Sequence, residues 1–138
     1  MRVLLDSHTL LWYAAGDPQL SAAAEEAIRD PDNDVLVSPA TFWEVAIKVR
    51  LGKLEVPGGD FGRFAEACES DAGLTLLPIT PAHTAVVATL PFPPSRQNPR
   101  KEHRDPFDRL LIAQALVEDV PLVTADGEFP SYSVKIIW

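Results

Sequence analysis

The sequence contains a single cysteine, Cys68, so no disulfide can form within the chain. Cys68 lies among apolar residues, where we expect a packed thiol. No apolar run approaches the roughly 18 residues that a membrane-spanning helix needs. At the N-terminus, Asp6 interrupts the apolar residues, which is unlike the continuous apolar core of a signal peptide. We therefore expect a soluble, cytoplasmic protein that has no membrane partner.

Several cofactor motifs are also missing. There is no CxxC pair and no HExxH, and the three histidines, His8, His83 and His103, lie far apart in the sequence, which disfavours a zinc site. No GxGxxG follows the first predicted strand, so a dinucleotide-binding role has little support.

Positive charge is scarce, because 12 Lys and Arg face 20 Asp and Glu and give a net charge of −8. Proteins that bind nucleic acid by bulk electrostatics neutralise many phosphates with cations, so this chain must hold any nucleic acid locally. Five cations do cluster between residues 96 and 109: Arg96, Arg100, Lys101, Arg104 and Arg109. This run is either a phosphate-binding segment or a solvated loop.

Five short β-rich runs alternate with helical patterns and predict an α/β fold in one domain spanning residues 1–138. The predicted strands are 3–6, 35–37, 74–79, 122–124 and 134–138. Strands that alternate with helices favour right-handed βαβ units and a mainly parallel sheet of about five strands.

Three helix starts are marked by a capping side chain followed by proline: Ser38-Pro39, Thr80-Pro81 and Asp105-Pro106. Further helices are predicted over 21–29 and 60–70. The proline-rich stretch 91–105 predicts a long loop, of a kind that is often functional. In the helix after Ser38 we place Phe42 and Trp43 in the core, although a dimer face also fits them.

Carboxylates follow two of the predicted strands. Asp6 closes the first strand, and Asp126 comes soon after the run 122–124. The carboxyl ends of parallel strands meet at one edge of a sheet, where ligands bind, so we expect these two side chains to lie close together. The alternative for each is an aspartate that caps a helix or stabilises a turn.

Two further acids are candidates for the same edge. Asp108 lies in the first turn of the helix that Asp105 caps, where a carboxylate also suits the helix dipole. Glu44 interrupts an apolar helix, and it either joins the site or faces solvent beside Lys48. Carboxylates that converge repel one another unless a cation neutralises them, and oxygen-only ligands select Mg²⁺ or Mn²⁺.

Four segments, 3–8, 38–44, 103–115 and 122–126, resemble in order and spacing those of the PIN-domain family. The likeness is to the VapC-type ribonuclease toxins of toxin–antitoxin pairs in particular, and the third segment is the most specific. It covers essentially the whole chain. The resemblance implies a Rossmann-like α/β/α sandwich, a homodimer, and a cognate antitoxin whose C-terminal segment covers the active site.

The resemblance also implies a set of acidic metal ligands: Asp6, Glu44, Asp108 and Asp126. Ser7 and Thr124 match small hydroxyl positions beside these acids. Asp105 is also near enough to serve as the ligand. We choose Asp108, because its spacing to the following alanines fits the family pattern without a gap.

We therefore predict a Mg²⁺- or Mn²⁺-dependent endoribonuclease that hydrolyses RNA as the toxin of such a pair. The expected phosphate contacts come from the basic segment: Arg100, Lys101, Arg104 and Arg109. Two alternatives stay open, namely a catalytically inactive PIN-like binding protein and a metal-dependent phosphatase or DNA nuclease. Equilibrium Mn²⁺ binding distinguishes an inactive binding protein from a nuclease. A panel of substrates distinguishes a ribonuclease from a phosphatase or a DNA nuclease.

Overall fold

A five-stranded parallel sheet forms the centre of the computed structural model, which describes residues 1–138. The strands are, in chain order, Arg2–Leu5 (β1), Asp34–Val37 (β2), Thr75–Leu76 (β3), Leu122–Val123 (β4) and Ile136–Ile137 (β5). Their order across the sheet is β3-β2-β1-β4-β5, and every pairing is parallel. The strand that ends before Asp6 therefore lies in the middle, directly beside the strand that ends before Thr124.

Six α-helices connect and cover the strands. They are Ser7–Ala15 (α1), Ala22–Arg29 (α2), Pro39–Arg50 (α3), Phe61–Ser70 (α4), Pro81–Val87 (α5) and Pro106–Glu118 (α6). A 3₁₀ helix spans Phe129–Tyr132. All three proline-marked helix starts are confirmed, because α3, α5 and α6 each begin at the predicted proline. No helix combines the length and the apolar character needed to span a membrane.

Alternate residues of the inner strands enter two separate hydrophobic cores. Val3 and Leu5 pack with side chains of α1, α2 and α4, whereas Leu4 packs with Leu111 and Ile112 of α6. This alternation is what a strand buried on both faces produces. The predicted α/β/α sandwich with a mainly parallel sheet of about five strands is confirmed.

Two expectations about single residues have different outcomes. Cys68 is 4% exposed, and burial raises the pKa of its thiol to about 11, so the packed thiol is confirmed. Trp43 is 63% exposed, so its placement in the core is wrong. The helix α3 contributes Val45 to the hydrophobic core, and the half-buried Phe42 packs against that core. Trp43 instead contacts the ring of Phe107 edge-on, with ring centroids 5.2 Å apart.

The proline-rich stretch is a long loop, as predicted, and one buried carboxylate anchors it. Glu128, 4% exposed, accepts hydrogen bonds from the Ser95 hydroxyl at 2.8 Å and from the amides of Arg96 and Gln97 at 2.9 and 3.4 Å. Burial opposes ionisation of this carboxyl, but the hydrogen bonds outweigh it and lower the pKa of Glu128. The loop is thereby fixed to the segment that follows β4.

Replacing the anchor should release the loop. We expect Glu128→Ala to make the loop cleavable by trypsin after its basic residues, because a buried carboxylate with several donors is what holds this backbone in place. Limited proteolysis followed by mass spectrometry measures the cleavage. Glu102→Ala, which removes an exposed glutamate of the same loop, is the matched control and should resist like the wild type. Equal resistance of both variants would contradict the anchoring role.

Candidate active site

A polar cavity of about 270 Å³ opens at the carboxyl edge of β1 and β4, and no hydrophobic residue lines it. Its acidic residues are Asp6, Glu44, Glu102, Asp105, Asp108, Asp126 and Glu128. Its other residues are Ser7, His8, Lys48, Ser95, Gln97, His103 and Arg104. The structure thus brings together the four predicted acids, which are separated by up to 120 positions in the chain.

Asp6 occupies the first position after β1 and is only 5% exposed. Its Oδ1 accepts a hydrogen bond from the Thr9 amide at 2.8 Å, which caps α1, and its Oδ2 accepts from the Thr124 hydroxyl. Burial raises the pKa of the Asp6 carboxyl, although the hydrogen bonds from Thr124 and Thr9 oppose the shift. The capping alternative is therefore correct and does not exclude the site, since a carboxylate offers about four acceptor positions.

Thr124 connects the ends of β1 and β4. Its Oγ1 donates to Asp6 and accepts a hydrogen bond from the Asp126 amide at 3.0 Å. Asp126 in turn accepts from the Glu128 amide at 2.9 Å, so it stabilises a turn as well as lining the cavity. The small hydroxyl at position 124 thereby links the Asp6 carboxylate to the backbone of Asp126.

Glu44 reaches the cavity from the second turn of α3 and is 7% exposed, so the alternative that it simply faces solvent is wrong. The Ser7 hydroxyl donates to its Oε1, and Lys48 donates to its Oε2 at 3.2 Å. Lys48 also lines the cavity, a role that the sequence analysis had not given it.

Asp108 experiences the charge of the other acids most strongly. Burial, followed by repulsion from Asp105, Asp126, Glu44 and Asp6, raises its pKa to about 8. Asp105, by contrast, is exposed, and its Oδ1 is used to cap α6 through the Asp108 amide at 2.9 Å. The geometry therefore favours Asp108 over Asp105 as the residue that serves the cavity.

A buried hydrogen-bonded chain holds Asp108 in place. His103, 7% exposed, lies with Nε2 3.0 Å from Asp108 Oδ2 and Nδ1 2.6 Å from the Tyr132 hydroxyl. The Tyr132 hydroxyl also accepts a hydrogen bond from Arg109 at 3.2 Å. Neither His103 nor Tyr132 was predicted from the sequence to be part of the site. The available signal was His103 itself, which lies five positions before Asp108 in the most specific matching segment.

Arg109 is not positioned to contact RNA. It is 5% exposed, donates to the carbonyls of Pro91 at 2.7 Å and Leu90 at 3.1 Å, and lies over the ring of Phe92 at 4.1 Å. The predicted phosphate contact is therefore wrong. The guanidinium instead satisfies backbone carbonyls at the start of the proline-rich loop, a partnership that no local sequence pattern reveals.

The other predicted phosphate-binding cations are on the surface. Arg104 lines the cavity, while its Nε donates to Glu102 at 3.0 Å. Arg100 and Lys101 are exposed in the same loop but do not line the cavity.

The donor set of the cavity fits a hard divalent cation. Its acids offer carboxylate oxygens, which Mg²⁺ and Mn²⁺ prefer. The pKa of Asp108 is raised by burial and, after that, by the negative charge of the neighbouring acids. No three His, Cys, Asp or Glu side chains already form a metal-ligand cluster. The acids therefore surround a common space without a closed coordination shell, and a cation that entered would remove the repulsion among them.

Comparison with known proteins agrees with this arrangement. The PIN domain family model matches residues 3–135. The chain is 30% identical to Ribonuclease VapC22 of Mycobacterium tuberculosis over 132 residues, which cover 94% of this chain and 91% of that protein.

Solved structures share the fold. VapBC2 from Rickettsia felis, crystallised with a DNA fragment from its promoter, aligns with a TM-score of 0.67 at 13% identity and covers 99% of this chain and 97% of that one. Mycobacterium tuberculosis VapC20, a sarcin–ricin loop cleaving toxin, aligns with a TM-score of 0.61 at 16% identity, with 96% and 95% covered. The family match and the 30% identical relative both extend across nearly the whole sequence, so this chain belongs to the PIN domain family.

Proposed function

We propose that this chain is a Mg²⁺- or Mn²⁺-dependent endoribonuclease that hydrolyses RNA phosphodiester bonds as the toxin of a toxin–antitoxin pair. The observation that carries the proposal is the polar cavity in which Asp6, Glu44, Asp108 and Asp126 meet. The relative named Ribonuclease VapC22 supports the same activity.

The hydrogen bonds of each carboxylate indicate its role in the proposed reaction. Asp6 and Asp108 hold the cation, because each keeps free acceptor positions while a neighbour fixes its orientation. Asp126 holds it directly or through water. When bound, the cation would supply Lewis-acid chemistry, polarising the phosphodiester and stabilising negative charge on the leaving oxygen. Glu44 is either a further ligand or the group that orients the attacking water, and Ser7 and Lys48 keep its carboxylate fixed.

Local cations compensate for the negative charge of the whole chain. Arg104 and Lys48 line the cavity beside the acids, where they would contact the phosphates flanking the bond that is cut. Arg100 and Lys101, exposed in the same loop as Arg104, extend this contact along the RNA backbone.

The proposal includes three features of the cellular context. A cognate antitoxin would be the regulatory partner, as the antitoxin-bound neighbour VapBC2 suggests. A homodimer is the proposed assembly, and the exposed Trp43 and Leu51 of the α3 region leave apolar surface for it. The proposed site of action on RNA is the cytoplasm.

Removing one carboxylate tests the activity. We expect Asp6→Asn to lower RNA cleavage on the order of 100-fold or more, because the charge that holds the cation is lost while the amide still caps α1. Cleavage of an RNA panel in the presence of Mg²⁺ measures the rate, and far-UV circular dichroism checks the fold. Asp32→Asn, at an exposed turn, is the control and should cleave normally.

The same panel decides among substrates. It should also contain single- and double-stranded DNA and a phosphate monoester. Cleavage of DNA or of the monoester instead of RNA would replace the ribonuclease by the other metal-dependent hydrolases. Full activity of Asp6→Asn would remove this residue from the mechanism.

Mn²⁺-dependent melting distinguishes Asp108 from Asp105. A cation at 100 times its Kd stabilises the fold by about 2.7 kcal/mol, so the melting temperature of the wild type should rise by several degrees. Asp105→Asn should keep this rise, because Asn caps a helix about as well as Asp. Asp108→Asn should lose most of it.

The opposite pattern would make Asp105 the ligand. A wild type whose melting temperature ignores Mn²⁺ would instead support an inactive binding protein. Differential scanning calorimetry with EDTA-treated protein gives the baseline for all three proteins.

Salt dependence tests the basic loop. Replacing Arg100, Lys101 and Arg104 together by alanine should weaken RNA binding and flatten its dependence on salt, since each lost phosphate contact removes about 0.7 from the slope of log K against log salt. Fluorescence anisotropy across a salt series measures both quantities. The control removes three exposed cations that do not line the cavity: Arg29, Arg50 and Arg63. If both triple variants keep the wild-type slope, the loop does not contact the RNA backbone.

A further inference from the structure

A second groove, of about 230 Å³, adjoins the acidic cavity. It is lined by Asp6, His8, Trp12, Gln97, Ala125 and Asp126. It shares Asp6, His8, Gln97 and Asp126 with the cavity that we assign to catalysis and extends that cavity to Trp12 and Ala125. A group bound in the groove would therefore be a direct neighbour of a phosphate bound at the carboxylates. At this size the groove is smaller than the roughly 300–1,000 Å³ of a site for a drug-sized ligand and suits a single ring system.

Aromatic side chains extend from the cavity through this groove. The centroid of the His8 ring lies 5.6 Å from that of Trp12, and the Trp12 ring lies 5.7 Å from that of Trp138. Both residues belong to α1, where His8 is exposed and Trp12 is half-buried. Contact with Trp138 supports the Trp12 ring from the β5 end of the sheet, so little conformational freedom is left to lose when a ligand binds.

Gln97 supplies the polar component of the groove. Its backbone amide donates hydrogen bonds to the Ser95 hydroxyl and the Glu128 carboxylate. Its side-chain amide is exposed and makes no hydrogen bond within the protein. A free carboxamide offers donors and an acceptor together, which is the combination that pairs with the edge of a nucleobase. The aromatic surface and the amide thus complement the face and the edge of the same kind of ligand.

We infer that this groove binds an unpaired nucleobase next to the scissile phosphate, with Trp12 stacking on the face of the base and Gln97 meeting its edge. The inference rests on the proposed ribonuclease function and adds a subsite to it. A base held here must leave its neighbours in the RNA stack, so the enzyme requires an unpaired nucleotide at this position. The net charge of −8 makes such a contact valuable, because stacking is an attraction that needs no positive charge.

The test removes the RNA base, by an abasic nucleotide, and the indole, by Trp12→Leu, first separately and then together. The wild type first defines the cleavage site in a single-stranded RNA, and an abasic nucleotide then replaces each of the two nucleotides that flank the scissile phosphate. At one of these positions kcat/KM should fall by about 5- to 150-fold, the range expected for loss of one stacked base. On the intact RNA, Trp12→Leu should lower kcat/KM by a similar factor relative to the wild type. On the abasic RNA, kcat/KM of Trp12→Leu should be close to that of the wild type, because the two changes remove the same contact.

Tyr13→Leu is the matched control. Tyr13 follows Trp12 on α1 and is also half-buried, but it packs against the hydrophobic core and lines a different groove. This variant should respond to the abasic RNA like the wild type. Trp12→Phe, which keeps an aromatic face, should recover part of the activity that Trp12→Leu loses. The wild-type comparison of intact and abasic RNA needs no variant, so it stands even if Trp12→Leu folds poorly.

A second arm addresses Gln97. In Gln97→Ala the differences in kcat/KM among the four bases at the sensitive position should become smaller. Unchanged differences would remove Gln97 from recognition of the base.

The outcomes separate the subsite from the activity. If the wild type cleaves RNA but the effects of Trp12→Leu and of the abasic position multiply, or if neither flanking base matters, the subsite is wrong and the ribonuclease function stands. That result would also be expected if the groove accepted a protein segment instead. If the wild type cleaves no RNA at all, the function and the subsite fail together.

Discussion

Repulsion among carboxylates confined to one cavity is the physical constraint on which the rest of this structure depends. Burial and converging like charges both disfavour ionisation, and together they raise the pKa of Asp108 to about 8. The fold keeps these groups together with neighbouring hydrogen-bond partners: Thr124 contacts Asp6, and His103 contacts Asp108. A divalent cation is the natural partner of such a site, since it turns the repulsion into binding energy.

The topology of the sheet explains why the acids meet. β1 and β4 are adjacent and parallel, so the residues that follow them emerge at the same edge. The helices α3 and α6 contact each other and deliver Glu44 and Asp108 from their N-terminal turns toward the same edge. The proline-rich loop, fixed by Glu128, completes the cavity and brings Gln97 and Arg104 to its rim.

The amino-acid sequence was sufficient to predict those parts of the fold and the site that depend on local patterns. Strand ends identified Asp6 and Asp126, and the cap-proline pairs identified the starts of α3, α5 and α6. The edge strands β3 and β5 are shorter than predicted, because periodicity marks apolar runs and does not show how many residues find a neighbouring strand.

Features that depend on tertiary contacts were not predictable. Arg109 belongs to a basic run, yet its partners are the carbonyls of Leu90 and Pro91, nearly twenty positions away in the chain. Glu128 looks like an ordinary turn residue in the sequence and becomes the anchor of a loop only in the fold. Trp43 illustrates the converse, because an apolar residue in an apolar helix can still lie on its outer face.

The most direct test of a divalent cation held jointly by Asp6 and Asp108 is an anomalous diffraction experiment on crystals soaked in Mn²⁺. We expect a manganese peak in the polar cavity, within about 2.5 Å of carboxylate oxygens of both Asp6 and Asp108. A well-ordered cavity without a peak at saturating Mn²⁺, or a peak held by other residues, would contradict it.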